Sequence, residues 1–226
     1  MTDSTHADPA TPPVKWSSII VSAYLPTLMS SLGYGAVIPL IPLTAVHIGA
    51  SAALAAAIAA LVGIGQIIGD VPAGWLVTKI GEKWSLVIAM LIDAVALVSM
   101  GLVHHLGLLA VAVFVNGMAG AVYGIARQNY LTVAIPYRYR ARALSTLGGV
   151  FRVGWFVGPM AGSWILREAS MSWAYGFASV ASVLAAAVTT VMPDLPPVDV
   201  PQTAVDDAPT KICLLYTSDA ADERSS

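Results

Sequence analysis

The sequence predicts an all-α polytopic membrane protein with six transmembrane helices. Apolar residues make up 57% of its 226 positions and charged residues only 11%, and the mean hydropathy is +0.76. So few Lys, Arg, Asp and Glu residues cannot cover a water-facing surface. Six stretches also supply the roughly 20 apolar residues that a helix needs to cross hydrocarbon, and basic residues gather in the loops on one side of them.

The six predicted spans cover residues 17–43, 51–77, 84–103, 106–126, 144–166 and 172–192. The first contains Pro26, Pro39 and Pro42, which a spanning helix tolerates when neighbouring helices satisfy the freed backbone groups. Apolar residues lie on every face of each predicted helix, which favours spans over amphipathic helices lying on the membrane surface. Residues 16–192 are therefore predicted to form one transmembrane bundle.

The segments on either side of this bundle are polar. Residues 1–15 lack the basic start and apolar core of a signal peptide and predict a disordered cytoplasmic tail. Residues 193–211 are proline-rich and acidic, as in a cytoplasmic linker. Residues 212–226 break with this composition, because CLLYTSDAADER, starting at Cys213, resembles a translated sequencing adapter. An artefactual tail is predicted there, with a natural flexible chain end as the alternative.

The basic residues predict how the chain is oriented in the membrane. With six spans, the tail, the 2–3 loop and the 4–5 loop lie on one side, and the opposite loops carry only Arg167 and the neutral His104 and His105. Because Lys and Arg concentrate in short cytoplasmic loops, both termini are predicted in the cytoplasm, and the protein in the inner or plasma membrane. The basic residues on the cytoplasmic side are Lys15, Lys79, Lys83, Arg127, Arg138, Arg140 and Arg142.

Several classes of function are excluded by what the sequence contains. A net charge of -2 gives no reason to expect nucleic-acid binding, and a single cysteine allows no internal disulfide. The adjacent His104 and His105 lack the spacing of a metal site, and we find no nucleophile–base set, phosphate loop or zinc motif. An enzyme, a cofactor and a metal are therefore not expected.

A charged turn interrupts the apolar sequence between the second and third predicted spans. From Asp70 it reads D-x-x-x-G-x-L-x-T-K-x-G-x-K, which resembles the loop 2–3 signature of the major facilitator superfamily. The resemblance implies a conformational gate, although Thr78 replaces an acid that normally helps to latch one conformation. The alternative is that the lysines only anchor the topology. The implied gate residues are Asp70, Gly74, Thr78, Lys79, Gly81 and Lys83.

A glycine repeat in the fifth predicted span resembles the antiporter signature of the same family. GWFVGPMAGS ends in Ser163, where the signature has glycine. Glycines four residues apart share a helix face on which two backbones can approach closely, and a proline bends the helix. This suits a rocking motion, with static helix packing as the alternative. The residues that carry the resemblance are Gly154, Gly158, Pro159 and Gly162.

Charged residues inside the spans are candidates for function, because each costs several kcal/mol unless it is paired or hydrated. Asp93 and Arg152 lie at similar depths, ~14 Å and ~12 Å from the cytoplasmic side, so a pair between them is possible. Asp70 lies near the inner end of the second span, within possible reach of Arg127 or the loop lysines. Either a charge network at the gate or a permanent structural ion pair is compatible with these positions.

The resemblance also implies a central cavity lined by helices one and four, with two and five beside them. Few of the residues placed there are charged and several are aromatic, which suits amphiphilic solutes better than sugars. For each of them, packing or anchoring at the membrane interface is the alternative. The cavity candidates are Tyr24, Tyr34, Gln66, Asn116, Tyr123, Arg152 and Trp155.

Together these motifs imply the N-terminal half, a 3+3 helix repeat, of a secondary active transporter. It would work by alternating access against a missing C-terminal six-helix half, with the lipid bilayer and a small-molecule solute as its other partners. Proton-linked efflux of small amphiphilic compounds is expected, although Val113 stands where proton-coupled members place an arginine. The alternatives are a metabolite importer of the same superfamily, and a non-transporting membrane scaffold or inactive half-transporter fragment.

Overall fold

The computed structural model describes residues 23–135 and 137–191, and each of its regular elements is an α-helix. The predicted tail, the linker and the segment 212–226 lie outside these residues. In chain order the helices are α1 (Leu25–Val37), α2 (Leu40–His47), α3 (Ala52–Leu102), α4 (Leu106–Ala134), α5 (Tyr137–Glu168) and α6 (Met171–Thr190).

Four helical segments are long and apolar enough to cross a membrane, which confirms the predicted all-α membrane class. They are α1 with α2, α3, α4 and α6. Only 39–50% of the residues in their most apolar stretches are buried inside the bundle, so large apolar side chains face outward. Val71 and Val95 are 81% and 68% exposed, which suits a surface solvated by lipid. Helix α5 is more polar, because it carries Arg140, Arg142 and Arg152.

Helix α3 contains the second and third predicted spans, joined through a single residue. Gly81 has φ 81° and ψ 165°, and helical geometry resumes on both sides of it. This positive φ is accessible to glycine because glycine has no Cβ. Ser85 Oγ donates a hydrogen bond to the Gly81 carbonyl oxygen at 2.7 Å. The turn expected between these spans is therefore a kink at one glycine, and residues 74–80 are helical.

Other helix ends also differ from the predicted spans. The first span is broken between α1 and α2 at Pro39, which has no backbone N–H to donate. Helix α4 runs past residue 126 to Ala134, and α5 begins before residue 144, at Tyr137. The segment expected to be the 4–5 loop is thus largely helical, and Arg140 Nε closes the junction by donating to the Ile135 carbonyl oxygen at 3.0 Å.

Glycines bring α3 and α4 into close contact. A Cβ added at Gly69 would lie 2.9 Å from the Met118 Cα atom, and one added at Gly65 would meet the Phe114 carbonyl oxygen. A Cβ at Gly117 would in turn meet the backbone of Val62. Small residues allow such backbone approach where lipid gives no hydrophobic drive for helices to associate. We call this contact, made by Gly65, Gly69 and Gly117, the first glycine seam.

A second glycine seam joins α5 to α1, and its glycines are those of the antiporter-like motif. A Cβ at Gly158 would lie 2.6 Å from the Leu32 carbonyl oxygen, and one at Gly162 would lie 2.9 Å from the Ala36 carbonyl oxygen. Gly154 contacts the side chain of Ser31 in the same way. The motif therefore packs directly on the first helix, which is one of the two roles that the sequence left open for it.

Helix α6 packs on α3 and α1 through an apolar core with a few polar links. Ser172 Oγ donates to the Gly101 carbonyl oxygen at 2.7 Å, and Ser179 Oγ donates to the Ala94 carbonyl oxygen at 3.1 Å. The hydroxyl groups of Thr44 and Tyr175 lie 2.9 Å apart. Each such bond contributes only ~0.6 kcal/mol within a membrane bundle, so close helix packing contributes most of the stability.

Candidate functional site

A cavity of about 90 Å³ lies among α1, α3, α4 and α5. A larger groove of about 390 Å³ between α3 and α4 is lined almost entirely by apolar side chains, as expected of a surface that contacts lipid. The smaller cavity also has polar side chains, which in ligand-binding pockets orient the bound molecule. We call it the polar cavity, and its polar side chains are Ser30, Tyr34, Gln66, Asp93, Asn116 and Tyr123.

Two of these side chains connect α1 with the part of α3 that precedes Gly81, which we call its first limb. Gln66 Nε2 donates a hydrogen bond to the Tyr34 hydroxyl oxygen at 2.9 Å. The bond fixes the orientation of the amide and of the phenol at the cavity wall. Since both groups can donate and accept, they offer a solute neutral hydrogen bonding beside an aromatic ring.

Asp93 connects three helices through its two carboxylate oxygens. Its Oδ1 accepts a hydrogen bond from Asn116 Nδ2 on α4 at 2.6 Å, and its Oδ2 accepts one from Ser182 Oγ on α6 at 2.7 Å. The pair with Arg152 that equal depth made possible is not formed, because Arg152 is exposed on α5. Buried Asn116 Oδ1 has no hydrogen-bond partner among the described residues.

Arg127 lies on α4, one turn from the cavity residue Tyr123. Its guanidinium carbon is 5.3 Å from the centre of the Tyr123 ring and 5.0 Å from that of Phe151, both within cation–π range. Its Nε and Nη1 atoms are buried, with no hydrogen-bond partner in the described part of the chain. Asp70 makes no ion pair with it among these residues, because Asp70 is exposed on α3.

The residues of the loop 2–3 signature lie at the surface of the bundle. Asp70, Thr78 and Lys79 are exposed, and Lys79 Nζ lies 4.7 Å from the centre of the Trp75 ring. A Cβ at Gly74 would meet no atom within 4 Å. Unlike the glycines of the two seams, Gly74 is thus not needed for packing within the described bundle. Lys83 is partly buried, two residues beyond the Gly81 kink.

Four of the sequence-predicted cavity candidates line the polar cavity: Tyr34, Gln66, Asn116 and Tyr123. Tyr24 instead donates from its hydroxyl group to the Ala143 carbonyl oxygen at 3.4 Å, near the α4–α5 junction. Trp155 is 48% exposed on α5, with its backbone against Gly35, and like Arg152 it is absent from the cavity wall.

Three contributors with polar or aromatic side chains were not predicted. Phe151 and Ser30 line the cavity, and Ser182 binds Asp93 from α6. Phe151 could have been found from its position beside Arg152 in a span predicted to flank the cavity. Serines such as Ser30 and Ser182 give no such signal, because in a helix their hydroxyl groups usually bond to their own backbone, as Ser30 Oγ does to the Thr27 carbonyl oxygen at 3.1 Å.

Known proteins resemble this chain over about three quarters of its length. It is 25% identical over 167 residues to an uncharacterized MFS-type transporter of Mycobacterium tuberculosis, which covers 74% of this chain and 24% of that protein. It is 28% identical over 171 residues to the class H tetracycline resistance protein of Pasteurella multocida, which covers 71% of this chain and 40% of that protein. The chain therefore spans less than half the length of these relatives.

A family model also matches this chain. The model of the Major Facilitator Superfamily matches residues 23–218, which include every helix described above. The family consists of membrane transporters rather than enzymes, in agreement with the sequence prediction. This chain is therefore a member of the Major Facilitator Superfamily.

Proposed function

We propose that the chain is the N-terminal six-helix bundle of a secondary active transporter that exports small amphiphilic compounds by proton-linked antiport. The bundle would cover residues 16–192 and rock against a second six-helix bundle in alternating access. The six crossings would be α1 with α2, the two limbs of α3 on either side of Gly81, and then α4, α5 and α6. The length of the relatives, which extend well beyond the matched region, supports a second bundle.

The observation that carries this proposal is a pair of exposed charges on helices assigned to the membrane. Asp70 on α3 and Arg152 on α5 are both exposed in the described bundle. A charge costs ~2.5–3.5 kcal/mol at the bilayer centre, so contact with lipid disfavours Arg152, and disfavours Asp70 to a smaller extent because Asp70 lies nearer the inner end of its span. Asp70 lies four residues after the cavity residue Gln66, and Arg152 follows the cavity residue Phe151. A second bundle and an aqueous path at this face would shield both charges.

The gate assigned to residues 70–83 fits the same arrangement. Gly74 leaves open space beside Asp70, which allows another helix backbone to approach closely. The kink at Gly81 places Lys79 and Lys83 at the end of two limbs, where they can contact headgroups or a partner helix. We assign Asp70 and the loop lysines to a charge network that is made and broken during transport.

Export is favoured over import by one relative and by the chemistry of the cavity. The tetracycline resistance protein is named for resistance to an antibiotic, and this chain shares 28% identity with it over 171 residues. The polar cavity combines the rings of Tyr34, Tyr123 and Phe151 with two amides and one carboxylate. Such a wall suits an amphiphilic solute better than a sugar, which requires many hydrogen bonds.

Transport in sealed vesicles tests the proposal. The protein encoded by the genomic reading frame that contains this chain is reconstituted, and movement of tetracycline as a probe is followed with a pH gradient imposed in each direction. Antiport predicts that the probe and the protons cross the membrane in opposite directions, and that net movement of the probe stops when the pH gradient is collapsed. Accumulation of metabolites in the same direction as the proton flux would identify an importer. Probe movement equal to that of protein-free vesicles would favour a scaffold or an inactive fragment.

Replacing Asp70 with asparagine is expected to lower the transport rate about tenfold or more, because a hydrogen bond to a charged group contributes ~1.5–3 kcal/mol. The fold should be unchanged, since Asp70 is exposed. Vesicle transport and far-ultraviolet circular dichroism of the same preparation measure the two effects. The matched control is Glu168→Gln, which removes an exposed acid at the end of α5. Unchanged transport in Asp70→Asn would remove this residue from the gate.

The predicted orientation places the α3 kink in the cytoplasm. A cysteine at Ile80, in a background with Cys213→Ser, should react with a membrane-impermeant maleimide only after the cells are permeabilised. A cysteine at His104, in the loop between α3 and α4, should react in intact cells. Labelling of the Ile80 position from outside intact cells would contradict both the orientation and the proposed positions of the termini.

A further inference from the structure

One carboxyl group in the bundle is held by two neutral donors. Asp93 Oδ1 accepts from Asn116 Nδ2 at 2.6 Å, and Asp93 Oδ2 accepts from Ser182 Oγ at 2.7 Å. Asn116 and Ser182 are only 3% and 2% exposed, so bundle packing holds both side chains beside the carboxyl group. Asp93 itself also lines the polar cavity.

No described cation holds this carboxyl in its charged form. The groups that face it come from every neighbouring helix: the phenol of Tyr34 from α1, the amide of Gln66 from the first limb of α3, Asn116 and the phenol of Tyr123 from α4, the ring of Phe151 from α5, and Ser182 from α6. The nearest described cation along α4 is Arg127, which stacks on the rings of Tyr123 and Phe151. The charge of Asp93 is thus not fixed by an ion pair.

Both partners of Asp93 can form hydrogen bonds with its neutral acid as well as with its charged carboxylate. A serine hydroxyl group can donate to a carboxylate or accept from a carboxylic acid. An asparagine amide carries a donor on one side and an acceptor on the other, and buried Asn116 Oδ1 has no partner in the described residues. Rotation of this amide group by half a turn about its Cβ–Cγ bond would bring Oδ1 to Asp93, where it could accept a hydrogen bond from the acid's O–H. The 2.6 Å separation also fits an O–H···O bond.

We propose that Asp93 takes up and releases the coupling proton, with Asn116 and Ser182 as partners that exchange donor and acceptor roles. The step adds one proton from the aqueous phase to a carboxylate oxygen, and no other covalent bond changes. This inference rests on the proposed antiport. It assigns the proton to a group on α3. Asn116 and Ser182 are positioning residues, because they act through Asp93.

Infrared difference spectroscopy tests proton binding without any transport. The 226-residue chain in lipid vesicles is titrated with acid, and the C=O stretching band of protonated carboxyl groups is recorded in H₂O and in D₂O. A band is expected that is absent in Asp93→Asn and retained in Glu168→Gln. Ser182→Ala should keep this band and move it to higher frequency, because the carboxyl group loses a hydrogen bond. Asp93→Glu, which keeps a titratable group, should restore a band if Asp93→Asn folds poorly.

Transport measurements separate this proposal from the proposed function. In the protein encoded by the genomic reading frame, Asp93→Asn should reduce proton-driven transport to the rate of protein-free vesicles while exchange of solute without a gradient persists. Retained proton-driven transport in Asp93→Asn would overturn the role of Asp93 and leave antiport intact. An infrared spectrum of Asp93→Asn identical to that of the unmodified chain would overturn the proton site, whatever transport shows.

Discussion

Replacing Gly158 with leucine is expected to force α1 and α5 apart and to destabilise the bundle by about 3 kcal/mol. Even a Cβ atom at this position would lie 2.6 Å from the Leu32 carbonyl oxygen and 2.8 Å from the Ala36 backbone nitrogen. Both contacts are backbone atoms, which cannot rotate away as the end of a side chain can. Unfolding in mixed micelles with increasing dodecyl sulfate, followed by tryptophan fluorescence, measures the change.

Gly149→Leu is the matched control for this experiment. Gly149 lies on the same helix, and a Cβ there would meet no atom within 4 Å. The control should unfold within about 0.5 kcal/mol of the unmodified chain, as exposed substitutions usually do. If both variants unfolded alike, the second glycine seam would contribute no specific packing. Contact with α1 would then not explain why the motif has glycine at these positions.

Replacing Arg127 with methionine is expected to stabilise the bundle by about 2 kcal/mol. Two guanidinium nitrogens, Nε and Nη1, are buried without a hydrogen-bond partner in the described residues, and each unsatisfied buried polar group costs ~1–3 kcal/mol. Methionine keeps an unbranched apolar side chain and a favourable sulfur–aromatic contact with Tyr123 and Phe151. The same micelle unfolding measurement gives the free energy.

Arg142→Met is the corresponding control, because Arg142 is exposed on α5 and its loss relieves no buried group. Its free energy of unfolding should change by less than about 0.5 kcal/mol. A decrease in stability on replacing Arg127 would show that the cation–π contacts outweigh the cost of the unpaired nitrogens. A natural protein that keeps a destabilising arginine beside its cavity trades stability for function, as functional sites commonly do.

Hydropathy predicted the helical regions because the thickness of hydrocarbon imposes a length and a composition on any helix that crosses it. It predicted helix ends less well. Residues 127–134 are polar enough to read as a loop, yet α4 continues through them to Ala134. A helix need not end where hydrocarbon does. The turn predicted around Gly81 does lie at a break in helical geometry, because a positive φ is accessible to glycine. The break at Pro39 was not predicted, since its proline was expected to be tolerated within the first span.

The partners of the charged groups could not be read from the sequence. Counting rise per residue gave Asp93 and Arg152 similar depths, but depth along an axis says nothing about rotation around it. Asp93 points to α4 and α6, whereas Arg152 lies on an exposed face of α5. Ser182 was missed for the same reason, since its contribution depends on which way α6 turns.

Glycine spacing had a similar limit. Gly117 meets the backbone of Val62, but Gly124, seven residues later on the same helix, has open space around it. Spacing shows that glycines can share a face and leaves open whether another helix covers it. The packed glycines of α5 were predicted as a set because the motif itself was recognisable, and only the structure identified α1 as their partner.

The two glycine seams limit how the helices of the bundle can move relative to one another. One holds α3 against α4 and the other holds α1 against α5, each at a distance that leaves no room for the two helices to slide. Backbone atoms in such close contact resist sliding within each pair, and α6, which packs on both α1 and α3, links the two pairs. The described helices should therefore tilt together as one stiff body. Any large movement in a transport cycle would then occur between this bundle and whatever packs against its surface, rather than between its own helices.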